Sequence, residues 1–178
     1  MPTVMDQAAR AHERRPHSSR TLATLEGGTK TSVKVLVIQG AGMNMRGKVN
    51  IETFGRMTLD ELNEAIRGYA RDLEVEVEFC HSNIEGEVVN ALYAAHDGDV
   101  DAALINPAGY LRTSGPLPGA IGQVRFPSIE VHVSNPVARG VVSTILPACR
   151  GSVTGFGSYS YYLALAAAKH LVSAPGAG

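Results

Sequence analysis

Tryptophan is absent, and aromatic residues make up only 6% of the chain. A base-stacking platform for single-stranded nucleic acid is therefore not expected. Neither sign of charge prevails: 16 Lys and Arg stand against 17 Asp and Glu, a formal net charge of -1. Nucleic-acid-binding domains usually carry a basic excess, so nucleic acid is not an expected partner. The 2 cysteines, Cys80 and Cys149, cannot frame a disulfide scaffold, and no CxxC or Cys/His pair has zinc spacing. No apolar run reaches the ~18 residues of a membrane helix, and the first residues lack the apolar block of a secretion signal. The expectation is a cytoplasmic protein with no membrane partner. What is present suits one folded domain: 178 residues, 44% hydrophobic and 19% charged.

Residues 1–32 differ from the remainder. They are polar, cluster Arg10, Arg14, Arg15 and Arg20, and close near Gly27-Gly28. A solvated extension fits this composition, and so does a docking arm in an oligomer. The domain is expected over residues 33–178. There, Lys34-Val35-Leu36-Val37-Ile38-Gln39 is a continuously apolar run, as expected of a strand buried on both faces. A Gly-rich loop, Gly40 to Gly47, follows. Thr58-Leu59-Asp60-Glu61 has the capping-box pattern, with Leu59, Leu62, Ile66 and Tyr69 at helical spacing. Val75–Phe79 alternates as a strand does, and Ser82-Asn83-Ile84-Glu85 offers a second capping box. Further strands are expected over Ala102–Asn106, Ser128–Val133 and Gly151–Gly155, a short helix around Leu117–Gln123, and a closing helix over Tyr159–Val172. Strands alternating with helices predict an α/β fold: a five-stranded parallel sheet with helices on both faces. Ligands of such folds bind at the carboxyl ends of strands. Those ends carry Gln39, Cys80-His81-Ser82, Asn106-Pro107 and Glu130 to Asn135.

Gly40-Ala41-Gly42 begins like a dinucleotide fingerprint, but Met45 stands where its third glycine belongs, and no GK[ST] phosphate loop occurs. Nucleotide binding is not expected. Glu130 and His132, two residues apart on a strand, share one face. A carboxylate that orients an imidazole suits a general acid or base, although a structural histidine at a polar strand end fits the same residues. Asn106 could hold a substrate oxygen or a water, or serve a turn. Arg112 and Arg139 could grip a carboxylate through paired hydrogen bonds. His81 reads as a wall residue, and His12, His17 and His170 are discounted by their positions.

Taken together, Gly40…Asn44-Met45-Arg46-Gly47…Phe54-Gly55, Ser82 to Glu87, Ile105-Asn106-Pro107-Ala108-Gly109-Tyr110…Thr113-Ser114, Glu130 to Asn135, Ala138-Arg139 and Gly155-Phe156-Gly157…Tyr161 to Leu165 resemble the type II 3-dehydroquinate dehydratase (type II dehydroquinase) family. The resemblance covers about residues 34–172. It implies a flavodoxin-like three-layer sandwich, assembled as a trimer or a dodecamer of trimers. It implies loss of water from 3-dehydroquinate through an enolate, with no metal or organic cofactor. In the family a first-loop Tyr takes the proton while a loop Arg lowers its pKa. A His protonates the departing hydroxyl, an Asn holds the enolate-stabilising water, and a Ser helps hold the substrate carboxylate.

The carry-over is partial. Asn106, Glu130, His132, Ser134 and Arg139 match the family, and Val133 falls within the same substrate-binding motif. The base position, however, holds Phe54. The loop Arg position holds Val49, with Arg46 and Lys48 nearby. The loop Asn is Gly42, the substrate-binding His is Arg112, a further Arg is Ser143 and an interface Asp is Gly119. The acid half of the site is kept and the base half is lost. Loss of a general base costs on the order of 10²–10⁴ in rate. The expectation is thus a lyase-type enzyme acting on a small anionic cyclic or keto-acid substrate, with His132, Glu130 and Asn106 catalytic and Ser134, Arg139, Arg112 and Val133 binding. Tyr110, Glu52 or His81 would replace the base. Arg112 could alternatively pair with Glu130 inside the pocket. The alternatives are a non-catalytic, oligomeric metabolite-binding or scaffold protein, or a diverged hydrolase or isomerase of a cyclic ketone.

Overall fold

The computed structural model describes residues 32–173. The expected extension over residues 1–32, apart from Ser32, lies outside the described residues, with His12 and His17. In chain order the elements are β1 (Val33–Ala41), α1 (Ile51–Phe54), α2 (Leu59–Asp72), β2 (Val75–His81), α3 (Glu85–Asp97), β3 (Ala102–Ala108), α4 (Leu117–Gln123), β4 (Ser128–His132), β5 (Gly151–Thr154) and α5 (Tyr159–Ser173). The five strands are all parallel, in the order β2-β1-β3-β4-β5. This is the flavodoxin-like order, and it reverses between β1 and β3.

The apolar run of β1 is explained by its two buried faces. Val35 and Val37 pack on one side with Leu62 and Ile66 of α2 and Ala164 and Leu165 of α5. Leu36 and Ile38 pack on the other with Val88 and Leu92 of α3 and Leu117 of α4. Each such Val, Leu or Ile side chain, removed from water, contributes about 1.5–3 kcal/mol. The first capping box forms as the sequence suggests. The Glu61 amide donates to Thr58 Oγ1 at 3.3 Å, and the Thr58 amide donates to the Glu61 carboxylate at 2.8 Å.

The second capping box does not form. Helix α3 begins at Glu85 with Ile84 as its N-cap, too late for Ser82 to serve. Ser82 Oγ instead accepts the Ile84 amide at 2.9 Å. Glu85 reaches away to accept from Thr113 Oγ1 at 2.7 Å and from the Leu117 amide at 3.0 Å, so it caps α4 rather than its own helix. No described helix is long and apolar enough to cross a membrane.

Where the strand order reverses, β1 and β3 approach closely. A Cβ on Gly40 would lie 2.1 Å from the Pro107 carbonyl oxygen and 2.9 Å from that of Asn106. Both obstacles are backbone of a central strand and cannot swing aside. Gly40→Ala should therefore cost about 3 kcal/mol or more, the upper range for overpacking. The urea midpoint of the variant measures it.

Candidate active site

Strand β4 places Glu130 and His132 on one face. His132 Nε2 donates to Glu130 Oε1 at 2.6 Å, and Ser143 Oγ donates to Glu130 Oε2 at 2.7 Å. The pair is buried, with Glu130 at 2% and His132 at 7% exposure. A buried carboxylate is costly unless partnered, and here each oxygen has its own donor. Arg112 is not one of them: the suggested ion pair with Glu130 does not form. Ser143 thus caps the second carboxylate oxygen with a neutral hydroxyl. Since Nε2 is committed to Glu130, Nδ1 is the ring nitrogen left for proton transfer.

A second network holds Asn106. Its Nδ2 donates to the Tyr161 hydroxyl at 3.0 Å. Tyr161 donates in turn to Gln39 Oε1 at 2.8 Å, and Gln39 Nε2 donates to Asn63 Oδ1 at 3.3 Å. All donors run in one direction, an arrangement in which each bond polarises the next. Tyr161 is fully buried. Burial pushes its phenol up to about 12, against the opposing effect of its hydrogen bonds with Asn106 and Gln39 and of the Arg46 charge. It therefore stays neutral and acts as a positioning group that fixes the Asn106 amide. Tyr161→Phe leaves Asn106 Nδ2 and Gln39 Oε1 buried without this partner. The expected cost is about 1–3 kcal/mol, read from the thermal midpoint.

The two networks meet at a cavity of about 240 Å³ at the carboxyl ends of β1, β3 and β4. Asn106, His132, Val133, Ser134 and Arg139 border it from the sheet side, and Arg46, Val49 and Phe54 from the first loop. Ala108, also on the wall, adopts φ 46°, a left-handed conformation that costs a non-glycine residue about 1–2 kcal/mol. Such strain collects where a structure must place groups accurately. Arg139 Nη1 donates to Ser134 Oγ at 3.0 Å and to the Asn135 carbonyl at 3.2 Å. Its guanidinium lies 5.6 Å from the centre of the Phe54 ring, within cation–π range. The loop is tied to the β2–α3 connection where the Gly42 amide donates to Asn83 Oδ1 at 2.8 Å. Among the described residues that line the cavity, His132 carries the one imidazole, and none carries a carboxylate, thiol or phenol. No group of three or more His, Cys, Asp and Glu side chains among the described residues is placed to hold a metal.

The structure thus brings six of the expected residues to one cavity: Asn106, His132, Val133, Ser134, Arg139 and Phe54, with Glu130 behind His132. Arg112 is exposed and does not border it. The chain leaves β3 in a helical turn, with the Tyr110 amide bonded to Pro107 O at 2.8 Å and the Leu111 amide to Ala108 O at 3.1 Å. That turn sends successive side chains in different directions, and Leu111 faces the cavity instead. None of the three suggested replacement bases borders it either. Tyr110 is buried with the α3/α4 core, and its hydroxyl donates to the Ser82 carbonyl at 3.0 Å. His81 Nδ1 donates to the Gln39 carbonyl at 2.8 Å, and Glu52 is exposed on α1. Sequence reasoning gave no role to Tyr161, whose place in an apolar helix hid its polar end. It noted Arg46 only for its position.

Comparison with known proteins follows the same lines. The family described as Dehydroquinase class II matches residues 33–169. A 3-dehydroquinate dehydratase of Caldanaerobacter subterraneus subsp. tengcongensis is 43% identical over 141 residues, 78% of this chain and 95% of the relative. One from Sulfurovum sp. is 37% identical over 144 residues, 79% of this chain and 88% of the relative. Among solved structures, the type II dehydroquinase of Butyrivibrio crossotus superimposes with a TM-score of 0.74 at 29% identity, over 78% of this chain and 98% of its own. A 3-dehydroquinate dehydratase-like protein of Bifidobacterium longum does so with a TM-score of 0.62 at 32% identity, over 80% and 99%. By sequence and by fold, the chain belongs to the class II dehydroquinase family.

Proposed function

We propose that the protein is a cofactor-independent hydro-lyase of a small, anionic, cyclic hydroxy-keto acid, related to but not optimised for 3-dehydroquinate. The observation that carries this reading is the 2.6 Å hydrogen bond by which buried Glu130 holds His132 against the cavity that Asn106 also borders. Elimination of water next to a ketone needs three things. A proton must leave the α-carbon, the enolate oxygen must be stabilised, and the departing hydroxyl must be protonated. His132 supplies the last proton through Nδ1, with Glu130 stabilising the ring's orientation and charge. Asn106, fixed by Tyr161, holds the enolate oxygen directly or through water. Ser134 and Arg139 receive the substrate's anionic end. Phe54 offers no proton acceptor, so the α-proton leaves to water or through His132 itself. That favours a substrate with a more acidic α-carbon than dehydroquinate has. The family's oligomeric assembly, a trimer or a dodecamer of trimers, is part of the same proposal.

The test is the rate at which the purified protein forms the conjugated enone from 3-dehydroquinate, with the Caldanaerobacter relative assayed alongside. The expected rate is lower by about 10²–10⁴. Equal rates would refute the altered substrate. Binding of cyclic keto acids with no turnover of any would favour the non-catalytic reading.

A further inference from the structure

The first loop carries a charge that no carboxylate among the described residues answers. Arg46 is half-buried on the cavity wall. Its Nε is buried with no hydrogen-bond partner, and no carboxylate pairs with it among the described residues. Burial pulls its pKa down, and the neighbouring Tyr161 hydroxyl opposes this only in part. Arg139, in contrast, already donates to Ser134 and to the Asn135 carbonyl and is more open to water. Removing a cation from water without a partner is unfavourable, and a fold tolerates it where a ligand completes the site.

The backbone beneath Arg46 is held firmly. Its amide closes the preceding 3-10 turn onto Met43 O at 3.1 Å. The next residue, Gly47, has φ 76° and packs where a Cβ would sit 2.5 Å from the Arg56 carbonyl oxygen. The guanidinium is thus presented to the cavity from a fixed base. It offers a planar fork of N–H donors, which matches the two oxygens of a carboxylate, as it does those of a phosphate.

We propose that Arg46 joins Ser134 and Arg139 in holding the ligand's carboxylate and is its strongest contact, whereas the sequence suggests Arg112 and Arg139 for that task. The inference rests on the reading that the cavity takes an anionic ligand, and it can be tested without turnover. Quinate is the probe: it has a ring carboxylate and hydroxyls but no ketone, so it can bind and cannot react. Its affinity is measured by calorimetry for the full chain, Arg46→Leu, Arg46→Lys and Arg150→Gln, the last an exposed arginine by the amino ends of β4 and β5. Thermal midpoints are recorded with and without quinate. Arg46→Leu should weaken quinate at least tenfold, Arg46→Lys less, and Arg150→Gln not at all. Without ligand, Arg46→Leu should melt at or above the unmodified protein, because an unanswered cation has been removed. With saturating quinate the order should reverse, since a ligand that binds the folded state raises its melting point.

Unchanged quinate affinity in Arg46→Leu overturns the proposal, as does failure of the unmodified chain to bind quinate. A fall in kcat alone, with quinate affinity kept, overturns it as well and moves Arg46 to the enolate oxygen. Loss of enone formation with quinate binding intact would defeat the proposed reaction and leave the carboxylate site standing.

Discussion

His132→Gln lowers turnover of the best substrate by about 10²–10⁴-fold and leaves KM within a few-fold. Glutamine retains a donor for Glu130, so the buried carboxylate keeps a partner in addition to Ser143. The fold is therefore preserved where alanine would leave one carboxylate oxygen unanswered, at about 1–3 kcal/mol. Glu130→Gln separates orientation from proton transfer. The imidazole remains, but its partner is now neutral and can either donate or accept. The ring tautomer is no longer dictated, and the charge that forms on His132 during the reaction is no longer balanced. A smaller loss than in His132→Gln, with a displaced pH–rate profile, marks Glu130 as a positioning residue. The measurement is steady-state kinetics across pH on both variants, with thermal midpoints as the control for folding. Full activity in His132→Gln would remove the basis of the proposed mechanism.

Much of the fold can be read from the residues because burial leaves a periodic mark. A strand covered on both faces must be apolar throughout, as Val35 to Ile38 are, and alternation with helices then leaves a parallel sheet. The Glu130–His132 pair is equally legible, because two residues apart on a strand means the same face whatever surrounds it. Features that depend on where the chain turns are not. Arg112 follows β3 by only a few residues, yet one helical turn carries it out of the cavity and brings Leu111 in. Ser82 to Glu85 has the spacing of a capping box. The spacing cannot reveal that α3 starts later, or that Glu85 is drawn across to the start of α4. Tyr110 and His81 stand near strand ends in sequence, but a backbone carbonyl claims each. Tyr161 was hidden for the opposite reason. Its helix is apolar, and only the packing of α5 against the sheet brings its hydroxyl between Asn106 and Gln39, 122 positions from the latter.

The Val49→Arg/Phe54→Tyr double variant should raise the rate of enone formation from 3-dehydroquinate by about 10²-fold or more, toward the 10²–10⁴ that a general base contributes. Both side chains already border the cavity from the first loop, with Phe54 38% and Val49 47% exposed, so a hydroxyl and a guanidinium can be added without crowding the core. A phenol ordinarily titrates near pKa 10, too high for a base at neutral pH. Arg139, 5.6 Å from the ring centre, lowers the free energy of a phenolate there, because an opposite charge within a few ångströms favours the ionised form. Phe54→Tyr alone should therefore gain activity, though less than the double variant. The gain over the unmodified chain should grow with pH as more phenolate forms. Val49→Arg alone should gain little, since it adds charge without a proton acceptor. Enone initial rates across pH on all four proteins, with quinate affinity as the control for an intact cavity, decide the matter. A double variant that binds quinate normally and gains nothing would mean that a proton acceptor at position 54 is not what limits this cavity. Gly42, which borders the cavity, and Ser143, which caps Glu130, would then be the next positions to substitute.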